Sequence, residues 1–405
     1  MLKKTVCLTL TAALLLLAGC AKNEPAGSEM KTLAEIRAEK ENIVEIAKKY
    51  DNLDLSKTYF YVPDVDKIEN FSILFGMPIE DKEKLLLETA NWVIPGSSNE
   101  NDILYFTYDA EYNFVYIPYS DCKNDPQRGE LDGLFCRNDK LDVSINIGGS
   151  WILAANNAVD DLVSTSRGTP RYIDGQDPAE EYNHLAGDTA DARVELQDGE
   201  MLVSDTVEIL KSNFENSPLN IDELKLTPRK TGVYNVGKKY GVCTYFLQEY
   251  NGVLLDYHIY DKNIETGELE DEKKYVSISM AMVWKNQTDQ LYGADIISEV
   301  KPSGDSFEEF VSLESFISMM SQKLTGGSRF AIDTVELLYE VDNILPDNYS
   351  ELSFEEKALL HHTGRFCHPM WVAYISNSGI TDAPQMCVTA DAVTGEFNLY
   401  RSWTV

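Results

Sequence analysis

After Ser204 the chain twice sends an amphipathic helix into a run of alternating apolar segments that includes a Thr-Gly-Glu turn. In the first round Val207, Ile209, Leu210 and Phe214 form the apolar positions of a helix over 204–216. Strand-like runs follow at 223–226, 240–250 and 253–260. The turn Glu265-Thr266-Gly267-Glu268 then leads to strands at 275–284 and near 294–300. The second round has a helix over 313–324 and strands at 331–341, 370–376 and 385–391. It closes with the turn 392–396 and a last strand at 397–403. A period-two segment buries one face, and a helix of this length buries one stripe. Neither folds alone, so each round predicts an antiparallel sheet covered by a helix, an α+β architecture. The glycine of each turn supplies the positive φ that a tight hairpin needs.

The segment 385–396 (QMCVTADAVTGE) resembles the last hairpin of PepSY modules, where a strand ends in Asp-Ala-x-Thr-Gly-Glu. The helix and strand of 312–341 stand where that family has its own helix and first strand. Residues 245–253 (YFLQEYNGV) are similar to a stretch of related protease propeptides, and to the YycI-type accessory regulators of an envelope histidine kinase. The resemblance covers about 200–405. It implies two tandem PepSY-like units, 193–300 and 301–405, without catalytic residues. Such units bind or restrain proteases and other envelope partners. Two features depart from the pattern. An insertion at 342–367 separates the first two strands of the second unit, and the kinase regulators carry a transmembrane helix that this chain replaces with a cysteine-ended leader.

That leader reads MLKKTVCLTLTAALLLLAGC. Lys3 and Lys4 precede an apolar run of about a dozen residues, too short to span a bilayer as a helix. Its end, Leu17-Ala18-Gly19-Cys20, resembles the lipobox of bacterial lipoproteins. The resemblance implies that residues 1–19 are a signal peptide and that Cys20 becomes the acylated N-terminus, carrying diacylglyceryl and palmitate. The protein is then anchored to the cell membrane on its extracytoplasmic face. Residues 20–30 read as a tether. No later run holds 18 apolar residues, so the lipid is the expected anchor.

Between tether and repeats, 31–165 reads as an N-terminal α+β domain. Thr32 and Glu35 make a capping-box pattern at the start of a helix over 32–50, and a second helix falls at 79–91. Strands at 103–108 and 113–119 flank 109–112 as a hairpin, followed by 141–147 and the 151–163 region. Residues 166–192, poor in apolar side chains, read as a linker or exposed loop. Tyr105, Tyr108, Tyr112, Tyr116 and Tyr119 are the candidate ligand-binding residues, because Tyr offers a flat apolar face with a polar rim. The competing account makes them cross-strand core contacts.

With 35 Lys and Arg against 67 Asp and Glu, the net charge is −32, which argues against nucleic acid as a partner. The chain has no His-Glu-x-x-His, no Gly-x-Ser-x-Gly elbow and no phosphate-binding loop. Ser120-Asp-Cys-Lys123, Ser144-Ile-Asn146 and Lys230-Thr-Gly232 mimic the three motifs of penicillin-binding proteins. The loop formers after Cys122, however, forbid the helix that the first motif requires. His361, His362, Cys367 and His368 cluster within eight residues and include zinc or copper ligands. The 353–362 segment reads better as a short helix whose end the two histidines favour, so no metal and no cofactor are expected. Asp261, Asn263 and Glu265 start like a calcium loop, but the glycine falls one position late. Five cysteines beyond the leader form no disulfide framework, with Cys122 and Cys136 the one plausible pair. The sequence thus predicts a non-enzymatic surface lipoprotein that binds an envelope protein or peptide. The alternative is a solute- or glycan-binding lipoprotein that uses the aromatic hairpin.

Overall fold

The computed structural model describes residues 28–76, 79–96, 99–108, 114–123, 133–137, 141–145, 151–156, 180–184, 192–196, 199–236, 239–256, 258–263, 278–284, 286–325, 329–343, 364–376 and 385–404. Cys20 and the leader lie outside them. Strand dominates, in two large sheets of mainly antiparallel pairing with a few helices, so the fold is α+β. No described helix is long and apolar enough to cross a membrane.

A long hairpin organises the nine-stranded sheet. Phe330–Asn343 runs antiparallel to Gly364–Ser376, from Ala331 opposite Ser376 to Asn343 opposite Arg365. The two strands of the second round thus pair across the 342–367 insertion and extend into both its ends. Gln385–Asp391, Phe397–Thr404 and His258–Asn263 add to one side in turn. Alternation then sorts the hairpin's side chains. Val335, Leu337, Tyr339, Val341, Cys367, Trp371 and Ala373 face a helical layer. Leu338, Met370, Val372 and Tyr374 face the other way, onto Leu247 and Leu254 of the second sheet. Both faces are covered, which is why residues 370–375 read as a continuous apolar run.

The helical layer is Leu313–Lys323 together with Leu33–Glu41. Leu313, Phe316, Ile317 and Met320 fall at helical spacing and are buried. Leu313 N donates to Glu39 Oε2 at 2.9 Å, which joins the two helices, and Asn52 Nδ2, from the turn before Leu53–Asp54, donates to Ser321 O and Leu324 O at 2.8 and 3.0 Å. These side chains satisfy backbone groups that every helix terminus leaves open. The Thr32–Glu35 capping box is present in both directions, whereas the helix expected over 32–50 breaks at Asn42 into Leu33–Glu41 and Ile43–Ala47.

Residues 28–76 build this sheet rather than an N-terminal domain, which corrects the 31–165 division. Ile68–Phe75 pairs with Ile297–Phe307 and with residues 364–367 of the hairpin, while Met30–Thr32 makes a separate two-stranded sheet with Glu309–Val311. Leu53–Asp54 and Tyr59–Tyr61 lie parallel to Phe330–Asn343. The physical reason is an open edge. Phe330–Asn343 has only one hairpin partner, and its other ladder needs backbone from elsewhere. The N-terminal segments fill it, and the bridge between Leu255 and Tyr339 continues the same edge.

The eleven-stranded sheet joins the first round to the middle of the chain. Its order is Glu180–Asn183, Leu224–Val236, Lys239–Tyr250, Ile278–Trp284, Asn286–Asp295, Trp151–Asn156, Leu141–Ile145, Gly133–Arg137, Ile103–Tyr108 and Phe114–Pro118, with Val253–Leu254 paired beside Lys239–Tyr250. The seam is Asn286–Asp295 against Trp151–Asn156. Leu86 and Ala90 of helix Ile79–Val93 share one core cluster with Val207, Leu210 and Phe214 of helix Val203–Glu215. The first round is therefore not a separate unit over 193–300, because its 258–263 and 297–300 strands belong to the other sheet. Part of the expected 166–192 loop is likewise strand, with Glu180–Asn183 paired to residues 230–233. Cys122, Cys136, Cys243, Cys367 and Cys387 are all buried free thiols, so Cys122 and Cys136 are not bridged.

Candidate functional site

Two places bring together side chains that the sequence singled out. The first is the expected hairpin, with Leu104 opposite Pro118 and Tyr108 opposite Phe114. Period two splits its aromatics between faces. Tyr105 is buried at 4% exposure, and Tyr119, which starts the short helix Tyr119–Cys122, at 3%. Both join the core and are not available as ligand contacts. Tyr116 is 56% exposed. It lies edge-on to Phe135 with centroids 5.3 Å apart, and Phe106 lies 6.4 Å from Tyr116 and 5.8 Å from Phe135. Phe106 crosses Gly133 on the neighbouring strand, where an added Cβ would stand 2.1 Å from the ring. The glycine is what lets the ring lie flat on the sheet. Arg137 stands 5.3 Å over Phe135 and donates from Nε to Asp142 Oδ2 at 2.9 Å. The outward surface is therefore Tyr116, Arg137 and the half-buried Phe106, packed over Phe135, which is 7% exposed, and not the row of five tyrosines. Tyr108 ends its strand, and Tyr112 lies outside the described residues. Phe114–Pro118 is the terminal strand of the sheet and pairs on one side only among the described residues.

The second place is His368. Cys367 and His368 are neighbours on one strand and so face opposite sides. The Cys367 thiol is fully buried in the apolar layer, where burial pushes its pKa well up, and it cannot share a ligand with His368. His361 and His362 lie outside the described residues. The groups that do meet His368 come from elsewhere. Its Nε2 is 3.0 Å from Asp342 Oδ2 and 3.3 Å from Glu340 Oε2, and its Nδ1 is 3.3 Å from Asp391 Oδ2. Glu340 and Asp342 share a face because they are two apart on a strand, and register puts Glu340 directly opposite His368. Asp391 is the aspartate of the Asp-Ala-Val-Thr-Gly-Glu turn. Its Oδ1 accepts from Val393 N at 2.9 Å and Thr394 N at 2.6 Å, which leaves Oδ2 facing the imidazole. Burial works against a charged His368, but the hydrogen bonds to Asp342 and Asp391 outweigh it and raise its pKa to about 9. Burial alone would lift Asp391, yet His368 and the two turn amides bring it down to about 2.

The penicillin-binding motifs are not assembled. Ser144 lies on Leu141–Ile145 and Lys230 on Leu224–Val236, with four strands between them in the sheet. At about 4.8 Å per strand their backbones are roughly 24 Å apart. Lys230 instead pairs with Glu181 at 2.7 Å. Asp261 and Asn263 sit in the outermost strand of the nine-stranded sheet rather than in a calcium loop, and Glu265 lies outside the described residues. Sequence reasoning missed Glu340, Asp342 and Asp391 as companions of His368. The Glu-x-Asp spacing was a usable signal, but the register that sets it against His368 was not. No family model matches the chain, and no curated protein matches it.

Proposed function

We propose that this protein is a non-enzymatic lipoprotein, held at the cell membrane on its extracytoplasmic face through Cys20, that binds an extended segment of an envelope protein. The binding place is the outer edge of the eleven-stranded sheet. The observation that carries this reading is Tyr116, exposed on the terminal strand and grouped with Phe106, Phe135 and Arg137. A terminal strand offers backbone donors and acceptors to an added strand, and flanking aromatics give side-chain selectivity. The leader ending in Cys20 and the PepSY-like turn at 391–396 support the same reading from the sequence. The second reading, a glycan or small solute stacked on Tyr116, rests on the same exposed ring.

The test places a photo-crosslinking residue at position 116 or, as a control, at Val44, which is 66% exposed on the short helix Ile43–Ala47. In intact cells position 116 captures a discrete protein and position 44 does not. Capture of glycan at 116 transfers the case to the second reading. Identical adducts at both positions overturn the edge as a binding place. Cys20→Ala releases the chain from the membrane fraction if the anchor is correct.

A further inference from the structure

We infer that His368, Glu340 and Asp342 form a binding site for a divalent transition-metal ion of the zinc class, with Asp391 as the group that orients His368.

The distances fit a coordination shell. Zinc binds imidazole nitrogen and carboxylate oxygen at about 2.0–2.2 Å, so neighbouring ligand atoms around one ion stand roughly 3.0–3.5 Å apart. Nε2 lies 3.0 and 3.3 Å from the two carboxylate oxygens, and the three donor atoms all lie within 4.8 Å of one another. Nε2 thus already stands at shell distance from both oxygens, and any closing of the two carboxylates on one ion falls to side-chain rotation. The donor set, one imidazole and two carboxylates, suits zinc, with water completing the shell.

Asp391 is the independent observation that makes this more than a group of acids. Metal-bound histidines donate their other ring N–H to a carboxylate, which fixes the tautomer and aims the free lone pair at the ion. Asp391 Oδ2 faces Nδ1 at 3.3 Å while its second oxygen is held by two backbone amides. This arrangement keeps the proton on Nδ1 and turns Nε2 toward Glu340 and Asp342. Charge points the same way. Glu340, Asp342 and Asp391 set three carboxylates around one imidazole, an excess of acid that a divalent cation offsets. On binding, the ion replaces the proton at Nε2, which leaves to solvent.

Access and rigidity also agree. The side chains of His368 and Glu340 are 15% and 10% exposed, whereas that of Asp342 is 42% exposed and marks the entrance. His368 is met from Phe330–Asn343 and from Asp391, the last residue of Gln385–Asp391, so an ion there pins two strands directly and a third through Asp391. This site is separate from the Tyr116 edge and stands whether or not that edge binds protein.

The test dialyses the metal-stripped full chain against Zn²⁺ with excess Ca²⁺ present to occupy diffuse acidic sites. The wild type is expected to retain one Zn²⁺ per chain, and His368→Ala and Asp342→Asn are expected to lose it. Asp391→Asn keeps the carboxylate's shape and is expected to weaken binding by about 10- to 100-fold with circular dichroism unchanged. Because His368→Ala removes several contacts at once, a readout on the wild type is added. Zn²⁺ must shift the ¹⁵N resonance of His368 Nε2, assigned with His368→Gln. A folded wild type that retains no Zn²⁺, retention unaltered by His368→Ala, or an unmoved Nε2 resonance overturns the proposal.

Discussion

His184 illustrates how far one side chain's behaviour follows from its setting. Its Nε2 lies 2.6 Å from Thr231 Oγ1, which in turn lies 2.9 Å from Thr244 Oγ1, and both threonines are fully buried. Burial lowers the His184 pKa below its ordinary value, because a charged ring would lose solvation. The unfolded chain, with a pKa near 6.5, takes up this proton first as pH falls. The contribution of His184 to stability is therefore intact above about pH 6.5, declines as pH falls through that value, and levels off once the folded protein is protonated too. Denaturant titrations at pH 7.5 and 5.5 should show a larger loss for the wild type than for His184→Gln. Equal losses would mean that the ring titrates normally. None of this was legible beforehand, since His184 fell inside a segment that composition marks as loop.

At the scale of elements, local chemistry was legible and long-range pairing was not. The Thr32 capping box, the helices that begin near Ile79, Val203 and Leu313, and the strand Gln385–Asp391 all follow from signals within a few residues of each other. The Asn251-Gly252 turn is of the same kind, with φ of 48° and 85° joining Tyr250 to Val253. The run 253–260 shows the limit. It reads as one strand, yet Val253–Leu254 pairs in one sheet and His258–Asn263 in the other, because Asp256 N is taken by Tyr339 O at 2.7 Å. Only the partner reveals that switch. The same limit hid the candidate metal site, since Glu340 and His368 meet through register alone. The helical layer gives a direct test. Ile36 is fully buried in the cluster that contains Phe316, Ile317 and Trp371. Ile36→Ala should cost about 2–5 kcal/mol in a denaturant melt. A loss below about 1 kcal/mol would show that the N-terminal helix does not complete the C-terminal core.

For the whole molecule, the chain closes on itself rather than stacking domain after domain. Residues 28–76 and 297–404 share one sheet and one core, to which the stretch between them adds His258–Asn263, and the rest of that stretch's large-sheet strands build the other. The stacked rings of Phe71 and Tyr250, 4.1 Å apart, and the contact of Leu247 and Leu254 with Met370 and Val372 join the two. Composition and motif reading gave an α+β chain of antiparallel sheets and a lipoprotein-like leader. A tandem arrangement was the simplest layout for two similar rounds, but sheet pairing is set by which edges need covering, and a sequence does not display its edges. Glu180–Asn183 and Phe114–Pro118 both end the eleven-stranded sheet among the described residues, and the functional reading rests on the Phe114–Pro118 end, where Tyr116 is exposed. Amide hydrogen exchange of the full chain, with and without the protein captured at position 116, tests it most directly. The account predicts that bound partner slows exchange within 114–118 and leaves the 258–263 strand at the opposite sheet's edge unchanged. Protection that appears elsewhere while 114–118 exchanges as before would contradict it.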